Sequence, residues 1–231
     1  KFKMYHENYN VFDLDRSLEF YEKALGHSFD NELDVSCNRD GCDFTREAYI
    51  GDVSYATFED ALAAAKEGDT IVVLSKIVIE GDRTLDLTGI TIDSKYVDFD
   101  NYAMVVKGNL TINGGSFNFD NYYGIGVTGK LTVNGGKFTT TKDYYLIGNF
   151  GETVINGGEF EALYCNVNSF AGTVNITGGK FTVSDYSNPD YPPCDVFAED
   201  GGEAIITGGD FSTDVTNYCP NGHTVENNDN R

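Results

Sequence analysis

Leu131-Thr-Val-Asn-Gly-Gly-Lys-Phe138 is one of five copies of a single pattern, and its recurrence decides how the chain folds. The others are Leu110-Thr-Ile-Asn-Gly-Gly-Ser-Phe117, Thr153-Val-Ile-Asn-Gly-Gly-Glu-Phe160, Val174-Asn-Ile-Thr-Gly-Gly-Lys-Phe181 and Ala204-Ile-Ile-Thr-Gly-Gly-Asp-Phe211. Their first glycines (Gly114, Gly135, Gly157, Gly178 and Gly208) are spaced by 21, 22, 21 and 30 residues. A period just above 20 residues, with two or three short strand patterns inside it, marks a solenoid. Leucine-rich repeats share that length but need Leu-x-x-Leu-x-Leu, which these units lack.

Each unit alternates apolar and polar residues, turns at Asn/Thr-Gly-Gly, and alternates again around the Phe. This predicts an all-β fold, a single-stranded right-handed parallel β-helix of about 21–22 residues per coil. Paired glycines suit the corner between two strands, since glycine reaches positive φ without a Cβ penalty. Ile112, Val133, Ile155, Ile176 and Ile206 are expected to point inward on one sheet. Phe117, Phe138, Phe160, Phe181 and Phe211 are expected to point inward on the next and stack once per coil, roughly 4.8 Å apart. A second apolar cluster after each Phe (Ile125 and Val127, Leu146 and Ile147, Leu163 and Val167) supplies a further sheet.

Working outward, Thr57-Phe-Glu-Asp-Ala-Leu-Ala-Ala-Ala-Lys66 reads as a helix with Thr57 as N-cap, placed to cover the open end of the solenoid. Ala48–Tyr55 reads as a small hairpin before it, and Leu85–Ile92 as the start of the regular coils. The β-helix with its cap is assigned to residues 48–225, residues 27–47 to a linker, and residues 226–231 to a fraying tail. Between Phe181 and Ala204 the unit swells to 30 residues through Ser184–Asp195, and such insertions loop out on one face of a solenoid.

Thirty-seven acidic against 16 basic residues give a net charge of −21, which argues against nucleic acid and anionic membrane surfaces as partners. No apolar run is long enough to insert in a membrane. No signal peptide is read at Lys1, which leaves export open. Five cysteines leave at least one unpaired within the chain. Cys37 and Cys42 are spaced for a loop disulfide, and Cys194 and Cys219 for a contact across adjacent coils. Zinc lacks a paired Cys-x-x-Cys.

For catalysis on such a solenoid, acids must be brought together on one sheet. Asp98, Asp100 and Asp120 lie on early coils, and Asp185, Asp190, Asp195, Glu199 and Asp200 around the insertion, with none in register with another. No cofactor is expected. Calcium is the one cation left open, with Asp190, Asp195, Glu199 and Asp200 as its candidate ligands. Tyr122, Tyr123, Tyr144, Tyr145, Tyr164, Tyr186 and Tyr191 fall near successive turns and are candidates for a platform that meets sugar rings or a protein.

Two resemblances add to this reading. Phe2-Lys-Met-Tyr-His-Glu-Asn-Tyr-Asn-Val-Phe-Asp-Leu-Asp-Arg-Ser-Leu-Glu-Phe-Tyr-Glu-Lys-Ala-Leu-Gly26 resembles the opening strand and helix of glyoxalase I (lactoylglutathione lyase) proteins. The resemblance implies a metal-ligand role for His6, but the further His and two Glu ligands of that family have no counterpart after residue 26. Residues 48–225, with Tyr55-Ala-Thr-Phe-Glu-Asp-Ala-Leu62, Gly-Asp-Thr-Ile-Val-Val-Leu74 and the Asn-Gly-Gly-x-Phe repeats, look like pectin-lyase-like β-helix modules of bacterial, Firmicutes-type surface proteins. That resemblance implies an adhesin-like protein that is extracellular or at the bacterial cell surface. The function expected is a non-enzymatic module that binds a glycan or a surface protein, or serves as a stalk. The rivals are a polysaccharide lyase or hydrolase, and a remnant metal-dependent glyoxalase fused to a β-helix.

Overall fold

The computed structural model describes residues 27–38, 42–142, 144–184 and 192–224. The strand–helix expected at 1–26, His6, Asp185, Tyr186, Asp190, Tyr191 and the tail at 226–231 lie outside the described residues. The chain divides into two compact units, Lys1–Thr45 and Arg46–Arg231.

The second unit is a parallel β-solenoid of six three-strand rungs. An antiparallel hairpin, β1 (Ala48–Ile50) and β2 (Val53–Tyr55), leads into α1 (Phe58–Ala64). The rungs follow, three strands to each. The first has β3 (Thr70–Val73), β4 (Ile77–Ile79) and β5 (Arg83–Leu85), and the second β6 (Thr91–Ser94), β7 (Tyr102–Val106) and β8 (Asn109–Ile112). The third has β9 (Ser116–Phe119), β10 (Tyr123–Val127) and β11 (Lys130–Val133), and the fourth β12 (Lys137–Thr140), β13 (Tyr145–Asn149) and β14 (Glu152–Ile155). The fifth has β15 (Glu159–Ala162), β16 (Cys165–Ser169) and β17 (Gly172–Ile176), and the sixth β18 (Lys180–Val183), β19 (Cys194–Ala198) and β20 (Gly202–Ile206). A last short strand, β21 (Asp210–Phe211), closes the series.

Equivalent strands pair in parallel along three sheets, and β1 and β2 extend one of them antiparallel. The first parallel rung is β3 on β6, so the solenoid begins at Thr70, earlier than Leu85. That first coil was hidden because Gly-Gly-x-Phe is absent from it, while the β-ladder needs only the alternating Ile71 and Val73.

The inward residues behave as the repeat requires. Ile112, Val133, Ile155, Ile176 and Ile206 are buried, as are Phe117, Phe138, Phe160 and Phe181. Successive Phe rings stack at centroid separations of 4.8, 5.0, 4.7 and 4.7 Å, tilted by no more than 7°. Each corner turns on the second glycine, with φ of +110° at Gly136 and Gly158. The side chain preceding the pair forms a ladder of its own. Asn134 Nδ2 donates to Asn113 Oδ1 (2.9 Å), Asn156 Nδ2 to Asn134 Oδ1 (2.8 Å), and Thr177 Oγ1 to Asn156 Oδ1 (2.9 Å). The repeated Asn is thus explained by hydrogen bonding between coils as well as by the turn.

Both ends are covered. The Thr57 hydroxyl accepts from Asp60 N, Phe58 and Ala61 enter the core, and Glu59 pairs with Arg83 of β5 through the two terminal guanidinium nitrogens. The helix is shorter than residues 57–66 because Ala65 is already extended, at ψ 146°. At the far end Val215 is buried, and Tyr218 Oη accepts from Ala198 N (3.2 Å). Cys194 Sγ lies 3.1 Å from Cys165 Sγ, its in-register neighbour, and not beside Cys219, whose thiol donates to Val215 O.

Truncating one central ring removes two stacking contacts and leaves a cavity. Phe160→Ala is expected to cost about 3–5 kcal/mol, and Phe211→Ala, at the half-buried end of the ladder, distinctly less. Urea unfolding followed by circular dichroism checks the order; equal losses would mean that the ladder is not a coupled stack.

Candidate functional site

The outer face of the sheet β4–β7–β10–β13–β16–β19 carries the expected tyrosines. Tyr102, Tyr123 and Tyr145 occupy one register position on β7, β10 and β13. Three strand positions further on, the outward row narrows to Gly126 and Gly148. The Tyr102 ring lies across this glycine gap: a Cβ added to Gly126 would sit 2.5 Å from its Cδ2, and one added to Gly148 1.9 Å from its Oη. Glycine is required at both positions by close approach rather than by a turn.

Around that ring the aromatics form one continuous patch. Tyr123 contacts Tyr102 (5.1 Å), Tyr144 (5.1 Å) and Tyr145 (6.0 Å), and Tyr145 contacts Tyr164 (6.0 Å). Tyr122 bridges to Tyr144 and to Phe99. On the other side Phe150 stacks on Phe170 (4.8 Å, 3° between planes), while Tyr102 and Tyr145 meet this pair edge-on. The five described tyrosines singled out in the sequence are therefore brought together. Phe99, Tyr102, Phe150 and Phe170 complete the patch and were not among them. A signal for two of them exists: Phe-Asp-Asn-Tyr occurs at 99–102 and again at 119–122.

Part of this surface is exposed and part is sealed. Phe99, Tyr144, Phe150 and Phe197 are open to solvent. Burial pushes the Tyr145 hydroxyl up to about 12, and Tyr102, more deeply placed, higher still. At the edge of the patch Asn168 is fully buried, with its Nδ2 donating to Glu199 Oε1 (3.2 Å) and its Oδ1 without a protein partner.

The acidic candidates are used locally. Asp195 is fully buried and accepts from Asn166 Nδ2, Ser212 Oγ, Thr213 N and Thr213 Oγ1, tying the last rung to the C-terminal segment. Glu199 and Asp200 are exposed, and no metal-holding group of three among the described residues includes them or Asp195. Asp98 accepts from Asp100 N, Tyr96 Oη and Asn101 Nδ2, and the first of these does most to hold its carboxyl below the usual range. Asp120 and Asp93 both pair with Lys95. A shallow trough of about 620 Å³ runs along the glycine corners, where Lys137, Glu159 and Lys180 alternate in sign between rungs.

Comparison with models of protein families, with curated proteins and with solved structures gives no match.

The tyrosine environments predict an alkaline response. In the unfolded chain tyrosines titrate near pH 10. A folded value raised to about 12 at Tyr145, and further at Tyr102, gives stability that is fully present below about pH 10 and is lost as pH climbs through about 12. Ultraviolet titration should show exposed tyrosines ionising first, with these two still protonated near pH 11. In Gly148→Ala the Tyr102 ring must move, and one late-titrating tyrosine should join the early group; an unchanged titration curve would refute its position over the glycine gap.

Proposed function

We propose that this chain is a non-enzymatic binding module of an exported, surface-exposed protein, and that the aromatic face is its contact surface for a neutral glycan. The observation that carries this reading is the contiguous patch running from Phe99 through Tyr122, Tyr144 and Tyr145 to Phe150 and Phe170. Ring faces pack on the apolar face of a sugar, while phenol hydroxyls and amides meet its hydroxyls. The rigid solenoid beneath holds these groups in place, so little ordering entropy opposes binding. A charge of −21 disfavours polyanionic partners and favours an uncharged polymer.

The engagement of Asp93, Asp98, Asp120 and Asp195 in local hydrogen bonds and ion pairs supports the non-catalytic reading over a lyase or hydrolase. The pectin-lyase-like character and the surface location remain part of the proposal, resting on the repeat pattern.

A glycan array and a polysaccharide-turnover assay on the full chain, each with calcium and with a chelator, test it. Expected are retention of a neutral glycan, no shortened or unsaturated product, and no effect of chelation. The double variant Tyr144→Ala/Phe150→Ala should weaken binding by about tenfold or more while leaving the solenoid spectrum intact. Product formation would establish an enzyme instead, and unaltered binding by the variant would remove the aromatic face from the contact.

A further inference from the structure

We infer that His27, Cys37 and Cys42 form a site for a thiophilic divalent cation of the zinc class, in the first unit of the chain and independent of the aromatic face. Among the described residues this is the one group of three metal-ligating side chains whose donor atoms all lie within 4.8 Å of one another. His27 Nδ1 is 3.3 Å from Cys42 Sγ. A tetrahedral zinc centre with bonds of about 2.3 Å to sulfur and 2.0–2.1 Å to nitrogen has donor–donor edges of about 3.4–3.8 Å. His27 Nδ1 and Cys42 Sγ are therefore already near the spacing one ion imposes, and Cys37 Sγ lies within 4.8 Å of both.

The local fold sets up this geometry. Ser36 bridges Thr45 in antiparallel fashion, and Cys37 N donates to Phe44 O (2.9 Å), which brings the two ends of the intervening loop together. Cys37 and Cys42 sit on opposite arms of that loop. Asn38 N donates to Ser28 O (2.7 Å), drawing the preceding segment alongside. The His27 ring stacks on Phe44 at 3.6 Å with 11° between planes, which fixes its orientation. Ser28 N donates to Cys37 Sγ (3.4 Å), a contact that orients the sulfur. Asp34, held by Asn31 and Asn38, organises the turn between the ligands.

Two thiolates with an imidazole select zinc-class ions over calcium or magnesium. Each thiol that ligates the ion gives up its proton to solvent. The sequence spacing suggested a Cys37–Cys42 disulfide, but no disulfide joins the described cysteines, and His27 converges on the same point.

The test is cobalt titration of the reduced, metal-free full chain, followed by zinc displacement. One equivalent of cobalt should produce thiolate-to-cobalt charge-transfer absorption with the visible bands of tetrahedral coordination, and zinc should abolish both. Cys37→Ser, Cys42→Ser and His27→Ala should each weaken zinc binding by about 100-fold or more, whereas Cys165→Ser and Cys194→Ser should bind as the unmodified chain does. Circular dichroism of the solenoid serves as the folding control. Zinc should also protect Cys37 and Cys42 from alkylation. The inference is overturned by absence of stoichiometric binding, by loss of the spectrum in the Cys165 or Cys194 variants alone, or by an undiminished spectrum when His27 is replaced.

Discussion

No coil of this solenoid can bury its own inward side chains; each depends on the coil next to it. That constraint governs everything from Thr70 to Phe211. Phe138 is sealed because Phe117 and Phe160 lie against its two faces at 4.8 and 5.0 Å. Val133 is sealed because its strand is hydrogen-bonded between those of Ile112 and Ile155. Each aromatic contact is worth about 0.5–1.5 kcal/mol beyond its buried area, and the backbone ladder repeats with every turn. The end coils are the exception, which is why the hairpin and helix cover one end, and Val215 with Tyr218 the other.

The same periodicity that builds the core also builds the surface. A residue that recurs once per coil is placed above its equivalent at strand spacing, whichever way it points. Inward, this gives stacked Phe; at the corner, the Asn113–Asn134–Asn156–Thr177 ladder; outward, the aromatic patch. The outer face differs in that its row of side chains is interrupted by glycine. Gly126 and Gly148 vacate a row so that Tyr102 can lie across it, with Phe150 against the ring from one side. A flat row of valines would leave no such gap.

The fold was legible because Gly-Gly-x-Phe reports a corner and an inward residue at once, and five copies remove ambiguity about the period. The first coil was not legible, because β3 and β4 carry alternation without the corner signature. The tyrosines were visible by position, yet sequence spacing does not say which rings lie down and which stand out. Tyr102 escaped notice because its role depends on glycines one and two coils away. The cysteines were misjudged for a related reason. Strand register pairs Cys165 with Cys194 across the long insertion, a distance that spacing along the chain conceals. His27, Cys37 and Cys42 converge through a bridge and a ring stack that no linear motif records.

Nearest-neighbour coil packing as the source of stability is tested most directly by amide hydrogen exchange on the full chain. Slowest exchange should fall on the central rungs, around Val133, Phe138 and Ile155, with protection declining toward β4 and β20 as neighbours are lost. Rapid exchange at the central amides, or terminal rungs that outlast the centre, would contradict the account.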